Sequence, residues 1–168
     1  GDRFLPLNEL GLAQVNLRQF DAAADTLSRA SDINPENQDT WFNLGLAYAA
    51  INKHKEAIQA FNHAIEKGST RAEIWFEAAK EYASIEDFSK AITAYEKVVK
   101  EQPENAEAWF RMGQCCSAQG QSEEAVEAFR KAVEIRPDYI DALMTMGYEL
   151  YNRGYFEDAA SAFKQIVN

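Results

Sequence analysis

A chain of 168 residues, 46% hydrophobic and 12% aromatic, carries enough apolar material for a sizeable core, which excludes a disordered segment. Lys and Arg number 17 against 27 Asp and Glu, and the resulting charge of −10 is dispersed along the chain; it repels phosphate backbones and anionic lipid and argues against nucleic acid as a partner. No apolar run approaches the roughly 18 residues of a membrane span, and the opening GDRFLPLNEL lacks the basic-then-apolar order of a signal peptide.

One register organises the chain. Trp41 opens WFNLGLAYAAINKHKEAIQAFNHA, Trp75 opens WFEAAKEYASIEDFSKAITAYEKV and Trp109 opens WFRMGQCCSAQGQSEEAVEAFRKA, with 34 residues between successive tryptophans. Extended both ways, this period gives units 4–37, 38–71, 72–105, 106–139 and a shortened 140–168, a single array over residues 1–168. The first unit carries Leu7, Leu10 and Gly11, then Ala23, Leu27 and Ala30. At the same places the second has Trp41, Leu44 and Gly45, then Ala57, Phe61 and Ala64. The third has Trp75, Ala78 and Ala79, then Ala91, Tyr95 and Val98. The fourth has Trp109, Met112 and Gly113, then Ala125, Phe129 and Ala132. The last has Leu143, Met146 and Gly147, then Ala159, Phe163 and Ile166. Spacings of three, four and seven within each half are those of an amphipathic helix, so each unit is predicted to be two antiparallel helices, A and B.

The small residue of each A helix falls where two backbones must approach, opposite the bulky residue of B. Gly120, Gly154 and Asn52 fall between A and B, where a left-handed residue ends a helix, and Pro35, Pro103 and Pro137 follow the B helices. The second unit has Gly68-Ser69 instead of proline, and Thr70 with Glu73 forms a capping-box pattern for the next helix.

Catalytic or metal chemistry finds no constellation in this pattern. His54 falls in an inter-helix turn and His63 on a B helix, neither with a ligand-spaced partner, and both are expected to be solvated or packing residues. Cys115 and Cys116 are adjacent: a strained, redox-active vicinal disulfide is one use, two small buried groups within a helix the other, and the second is preferred. No phosphate-cradling glycine loop, G-x-S-x-G or H-E-x-x-H occurs. Neither cofactor, metal nor enzymatic activity is expected.

The columns W-x-x-L-G-x-x-Y, A-x-x-x-F-x-x-A and P resemble the tetratricopeptide repeat (TPR) family over residues 4–168, with Leu7 and Gln14 departing from the pattern in the first unit. The resemblance implies an all-α, right-handed α-solenoid of five helix pairs whose A helices line a concave groove for peptides or protein segments. On that register, the residue after the tryptophan reads Asn8, Phe42, Phe76, Phe110 and Met144. Its phenylalanines form either a row of anchors for a partner or ordinary packing between units. Two residues before the tryptophan stand Asp39, Glu73, Glu107 and Asp141, which favour a basic partner or simply complement the helix dipole.

Some TPR domains clamp a partner's terminal carboxylates with lysine, asparagine and arginine. The first three units offer Asn8, Leu12, Asn43, Glu73 and Glu77 for this, of which Asn43 alone matches. The last three offer Phe76, Lys80, Arg111, Asp141 and Thr145, where Lys80 and Arg111 have nearer partners in Glu77 and Glu107. The column Glu9, Asn43, Glu77, Arg111, Thr145 also lacks the asparagine ladder of some sugar-transferase TPR regions.

A cytoplasmic, non-catalytic scaffold is the leading expectation, binding a partner segment with apolar anchors and some basic residues. The alternative is a docking arm excised from a larger multidomain enzyme or a secretion or assembly machine. Helix A of the first unit is apolar nearly all round, and Ala160 and Val167 repeat inter-unit positions at the far end. Either further repeats flank these ends in a parent chain or the ends self-associate.

Overall fold

The structure, a computed structural model, describes residues 3–167. Every regular element among them is an α-helix, and each unit of the register, the shortened last one included, yields two. In chain order these are α1 (Phe4–Asn16), α2 (Phe20–Ile33), α3 (Gln38–Ala50), α4 (His54–Glu66), α5 (Ala72–Ser84), α6 (Phe88–Glu101), α7 (Ala106–Ala118), α8 (Ser122–Ile135), α9 (Ile140–Asn152) and α10 (Phe156–Val167). The chain divides into two compact units, one ending at Glu86 and the other starting at Asp87.

In the first compact unit, α1 packs on α2 and α3 on α4. The contact that fixes each pair is a glycine on one helix against a buried side chain on the other. A Cβ at Gly11 would lie 2.5 Å from Leu27, and one at Gly45 would lie 2.4 Å from the ring of Phe61. Leu27 and Phe61 are fully buried, as are Ala23 and Ala57 one turn earlier. The small residues let the backbones close up, and the large ones fill the space between them. Leu27, Leu44 and Ala47 gather into one cluster; Phe42, Phe61, Ile74 and Ala78 gather into another.

The second compact unit repeats the device. Cβ atoms at Gly113 and Gly147 would meet the rings of Phe129 and Phe163 at 2.6 and 2.5 Å. A single cluster joins Phe110, Phe129, Leu143, Met146 and Leu150.

The turns also repeat. Asn52, Gly120 and Gly154 have positive φ, and so do Arg18 and Glu86, which occupy the same column without being Asn or Gly. After this left-handed residue, the next amide reaches back to close the helix end: Lys53 N donates to Tyr48 O and Gln121 N to Cys116 O, both at 2.9 Å. At A-helix starts, Asn37 and Asn105 accept from the amides of Thr40 and Ala108 at 2.8 and 3.0 Å. The indole N–H groups of Trp41 and Trp109 donate to the carbonyls of Pro35 and Pro103 at 2.8 and 2.9 Å. Tryptophan and proline thus tie α3 and α7 to the turns that precede them.

The capping box expected at Thr70 and Glu73 is not formed. Helix α5 begins at Ala72, so its N-cap is Arg71, which makes no side-chain cap bond, and Thr70 lies one residue too early to cap it.

The glycine contact predicts a compensating pair. Gly113→Leu, which improves helix propensity, should still cost roughly 1–3 kcal/mol by overpacking, and Phe129→Ala roughly 3–5 kcal/mol by leaving a cavity. The double variant should lose clearly less than the sum. Denaturant unfolding of all four proteins checks this, and strict additivity would mean the two groups do not touch.

Candidate functional site

The A helices present their outward face at positions set by the packing of the inward one. The phenylalanine column divides under this constraint. Phe42 and Phe110 are each only 6% exposed. The Phe42 ring packs 6.0 Å from Phe61, and Phe110 lies 5.8 Å from Phe129 and 4.9 Å from Tyr139. Of the two uses expected for this column, packing holds for Phe42 and Phe110, whose rings are core because they face the bulky residue of the B helix. Phe76 is half-buried, and the Lys80 ammonium stands 5.9 Å over its ring.

The polar candidates surround this column. Lys80 pairs with Glu77 at 2.7 Å on α5, beside Phe76, and Glu73 is exposed in the first turn of the same helix. The Asn43 amide donates to the Asp39 carbonyl at 2.7 Å, and Asp39 pairs with Arg71 at 2.8 Å. In the second compact unit, Glu107 and Arg111 pair at 3.2 Å on the exposed side of α7, and Met144 is half-buried on α9. The structure thus brings Phe76, Glu77 and Lys80 together on α5, and Glu107 and Arg111 together on α7.

Sequence reasoning missed an outward column. Gln114 and Tyr148 are exposed at the position that Lys80 occupies on α5. The signal was present: this column lies seven residues after the exposed acids Glu73, Glu107 and Asp141, two turns along the same helix face. Tyr148 stands edge-on to Phe163 at 5.4 Å. Beside it, the Ser117 hydroxyl donates to the Glu149 carboxylate.

The histidines have specific neighbours. His63 lies against Trp41, with ring centroids 4.6 Å apart, and 3.3 Å from Glu66, which is a packing role. His54 is the first residue of α4, and its Nδ1 stands 2.7 Å from Glu81, which is only 6% exposed. A carboxylate can only accept, so Nδ1 is the donor and the buried acid is satisfied. That pair joins residues 27 apart in sequence. Among the described residues no three His, Cys, Asp or Glu side chains are placed to hold a metal. No helix described is long and apolar enough to cross a membrane.

Cys115 and Cys116 are free thiols, both buried within α7. Burial pushes Cys115 up to about 11, with the neighbouring Cys116 adding to the shift, and burial also raises Cys116.

Glycine-tight helix pairs, a repeated left-handed turn and outward faces of ion-paired polar residues define an all-α helix-pair repeat protein. The sequence profile described as "Tetratricopeptide repeat" matches residues 8–72 and 76–140. The chain belongs to the tetratricopeptide repeat family. Among solved structures, a crystal structure of MamA is 24% identical and superposes with a TM-score of 0.89, covering 94% of this chain and 92% of that one. MamA 41-end from Desulfovibrio magneticus RS-1 is 18% identical, with a TM-score of 0.90 over 99% of this chain and 94% of that one. YrrB, described as a TPR protein with an unusual peptide-binding site, is 18% identical, with a TM-score of 0.88 over 96% and 84%. These likenesses show the TPR α-solenoid fold. No curated protein sequence matches the chain.

Because only the thiolate reacts, alkylation by iodoacetamide at pH 8 should spare both cysteines in the folded protein and modify both in denaturant. Mass spectrometry checks this, and rapid native labelling would contradict the burial of α7.

Proposed function

We propose that this protein is a non-catalytic interaction scaffold that holds a partner peptide or protein segment against the outward face of its A helices. The observation that carries this is α5, where the half-buried Phe76 ring is bracketed by the Lys80–Glu77 pair. An apolar anchor set in a polar rim is the usual anatomy of a binding hot spot. Asn43 on α3 adds a side-chain amide on that face of the first compact unit. In the second, Arg111, Glu107 and Met144 supply the corresponding groups. YrrB's description as a peptide-binding TPR protein supports a peptide as the kind of ligand.

The partner's chemistry follows from charge. Glu73, Glu107 and Asp141 stand exposed in first turns, and the chain carries −10 overall, so a segment with apolar anchors and some Lys or Arg fits better than an acidic one. The free thiols suit a reducing compartment such as the cytoplasm. The same face would serve if the chain worked as the docking arm of a larger enzyme or secretion machine.

A second reading, self-association, is favoured by the exposed apolar side chains Leu5, Leu10 and Leu17 on and beside α1, and Tyr155, Phe156 and Val167 on and beside α10. Sedimentation over a wide concentration range should show reversible oligomers. A strict monomer at high concentration would exclude this reading.

For partner capture, Phe76→Ala should weaken binding by about 1–2 kcal/mol while the helical spectrum is unchanged. Glu73→Gln with Glu107→Gln should slow association and reduce its salt dependence. If every variant binds as well as the parent protein, the A-helix face is not the interface.

A further inference from the structure

The second compact unit contains a groove on its B-helix side that is separate from the A-helix face. It lies between α6 and α8, has a volume of about 540 Å³, and is floored by Ile92, Trp109, Met112 and Cys116. Around this apolar floor stand four carboxylates, Glu96 from α6 and Glu123, Glu124 and Glu127 from α8, and no Lys or Arg lines it. Trp109 is held in place by its indole bond to the Pro103 carbonyl, so one wall is a fixed aromatic surface.

The charge is not imposed by the repeat. The same register builds a second groove between α8 and α10, of about 470 Å³, floored by Met146 and Leu150. There Arg130 stands among the lining residues with Glu134 and Asp158, so the charges are mixed. In sequence, the positions of Glu96, Glu123, Glu124 and Glu127 are held by Ser28, Lys55, Glu56 and Gln59 in the corresponding units upstream.

Nearby cations compensate the rim only in part. Arg153 pairs with Glu123 at 2.5 Å, and Arg130 approaches Glu127 at 3.9 Å. Among the described residues, Glu96 and Glu124 have no cation within ion-pair distance. Their field converges on the floor: beyond the effect of burial, Glu124 and then Glu96 push the Cys116 thiol further up.

We propose that the α6–α8 groove is a second docking site, which takes a segment of a partner protein bearing one bulky apolar side chain flanked by lysines or arginines. The apolar side chain fills the space over Met112 and Ile92, and the flanking cations meet Glu96 and Glu124, one of them within reach of the Trp109 face. Charge complementarity selects this occupant: anionic lipid is repelled by the rim, and a second copy of the chain brings a charge of −10.

The test uses a blocked, fluorescein-labelled peptide with lysines on both sides of a single benzoylphenylalanine, a bulky apolar group that photo-crosslinks to what it touches. The label should map to α6–α8, chiefly on the Met112 thioether. Glu96→Lys with Glu124→Lys, both at exposed positions, should weaken binding at least about tenfold with the helical spectrum preserved. Phe76→Ala should leave it unchanged, so failure here is distinguishable from failure of the A-helix site. A lysine peptide without the apolar group should bind at least about tenfold more weakly; equal binding would reduce the effect to bulk charge and overturn the site. Label mapping elsewhere, or binding indifferent to the charge reversal, would overturn it too. Dimerisation strengthened by that reversal would place a second copy in the groove, contrary to the proposal.

Discussion

Four of the five repeats are organised by one contact, a glycine of an A helix set against a large side chain of its B helix, and the third has Ala79 at that place. At Gly11, Gly45, Gly113 and Gly147 even a methyl group would come within 2.4–2.6 Å of Leu27, Phe61, Phe129 and Phe163. Such a contact does two things. It brings the backbones close enough for the alanine column to be fully enclosed, and it fixes the rotation of each helix about its axis. Once rotation is fixed, the residues that remain outward are determined, and so is the surface available to a partner.

That constraint explains why neighbouring phenylalanines have different roles. Phe42 and Phe110 lie over the B-helix rings Phe61 and Phe129 and are spent on packing. The column four residues further on turns outward at Gln114 and Tyr148, which are exposed, and carries the half-buried Lys80 on α5. Binding chemistry in such a protein is written on positions that the core does not use, which is why a rigid scaffold can carry different surfaces on its A and B helices.

The repeat made most of the fold legible in the sequence. Among the described residues, ten helices fall within the units that the tryptophan spacing marks out, and the prolines follow α2, α6 and α8 as read. The turns were legible where Asn52, Gly120 and Gly154 supplied the left-handed residue and illegible at Arg18 and Glu86, where the repeat imposes that conformation on residues that do not favour it. The capping box failed because a two-residue pattern says nothing about where the helix begins when Ser69 stands in place of the proline that fixes other boundaries. The site was harder to read. Periodicity places a residue on a face to within a turn, and the difference between a buried Phe110 and a half-buried Phe76 is smaller than that. Long-range pairs such as His54 with Glu81 leave no local signature, since neither residue's neighbours in sequence announce the other.

The central claim is that partner recognition uses the outward A-helix face around Phe76. Its most direct test is chemical-shift mapping of the isotope-labelled protein titrated with a captured partner segment. The account predicts that the largest changes cluster on α3 and α5, at Asn43, Phe76, Glu77 and Lys80, while the buried rings of Phe42 and Phe61 move little. Saturable binding that leaves α3 and α5 unperturbed would contradict it.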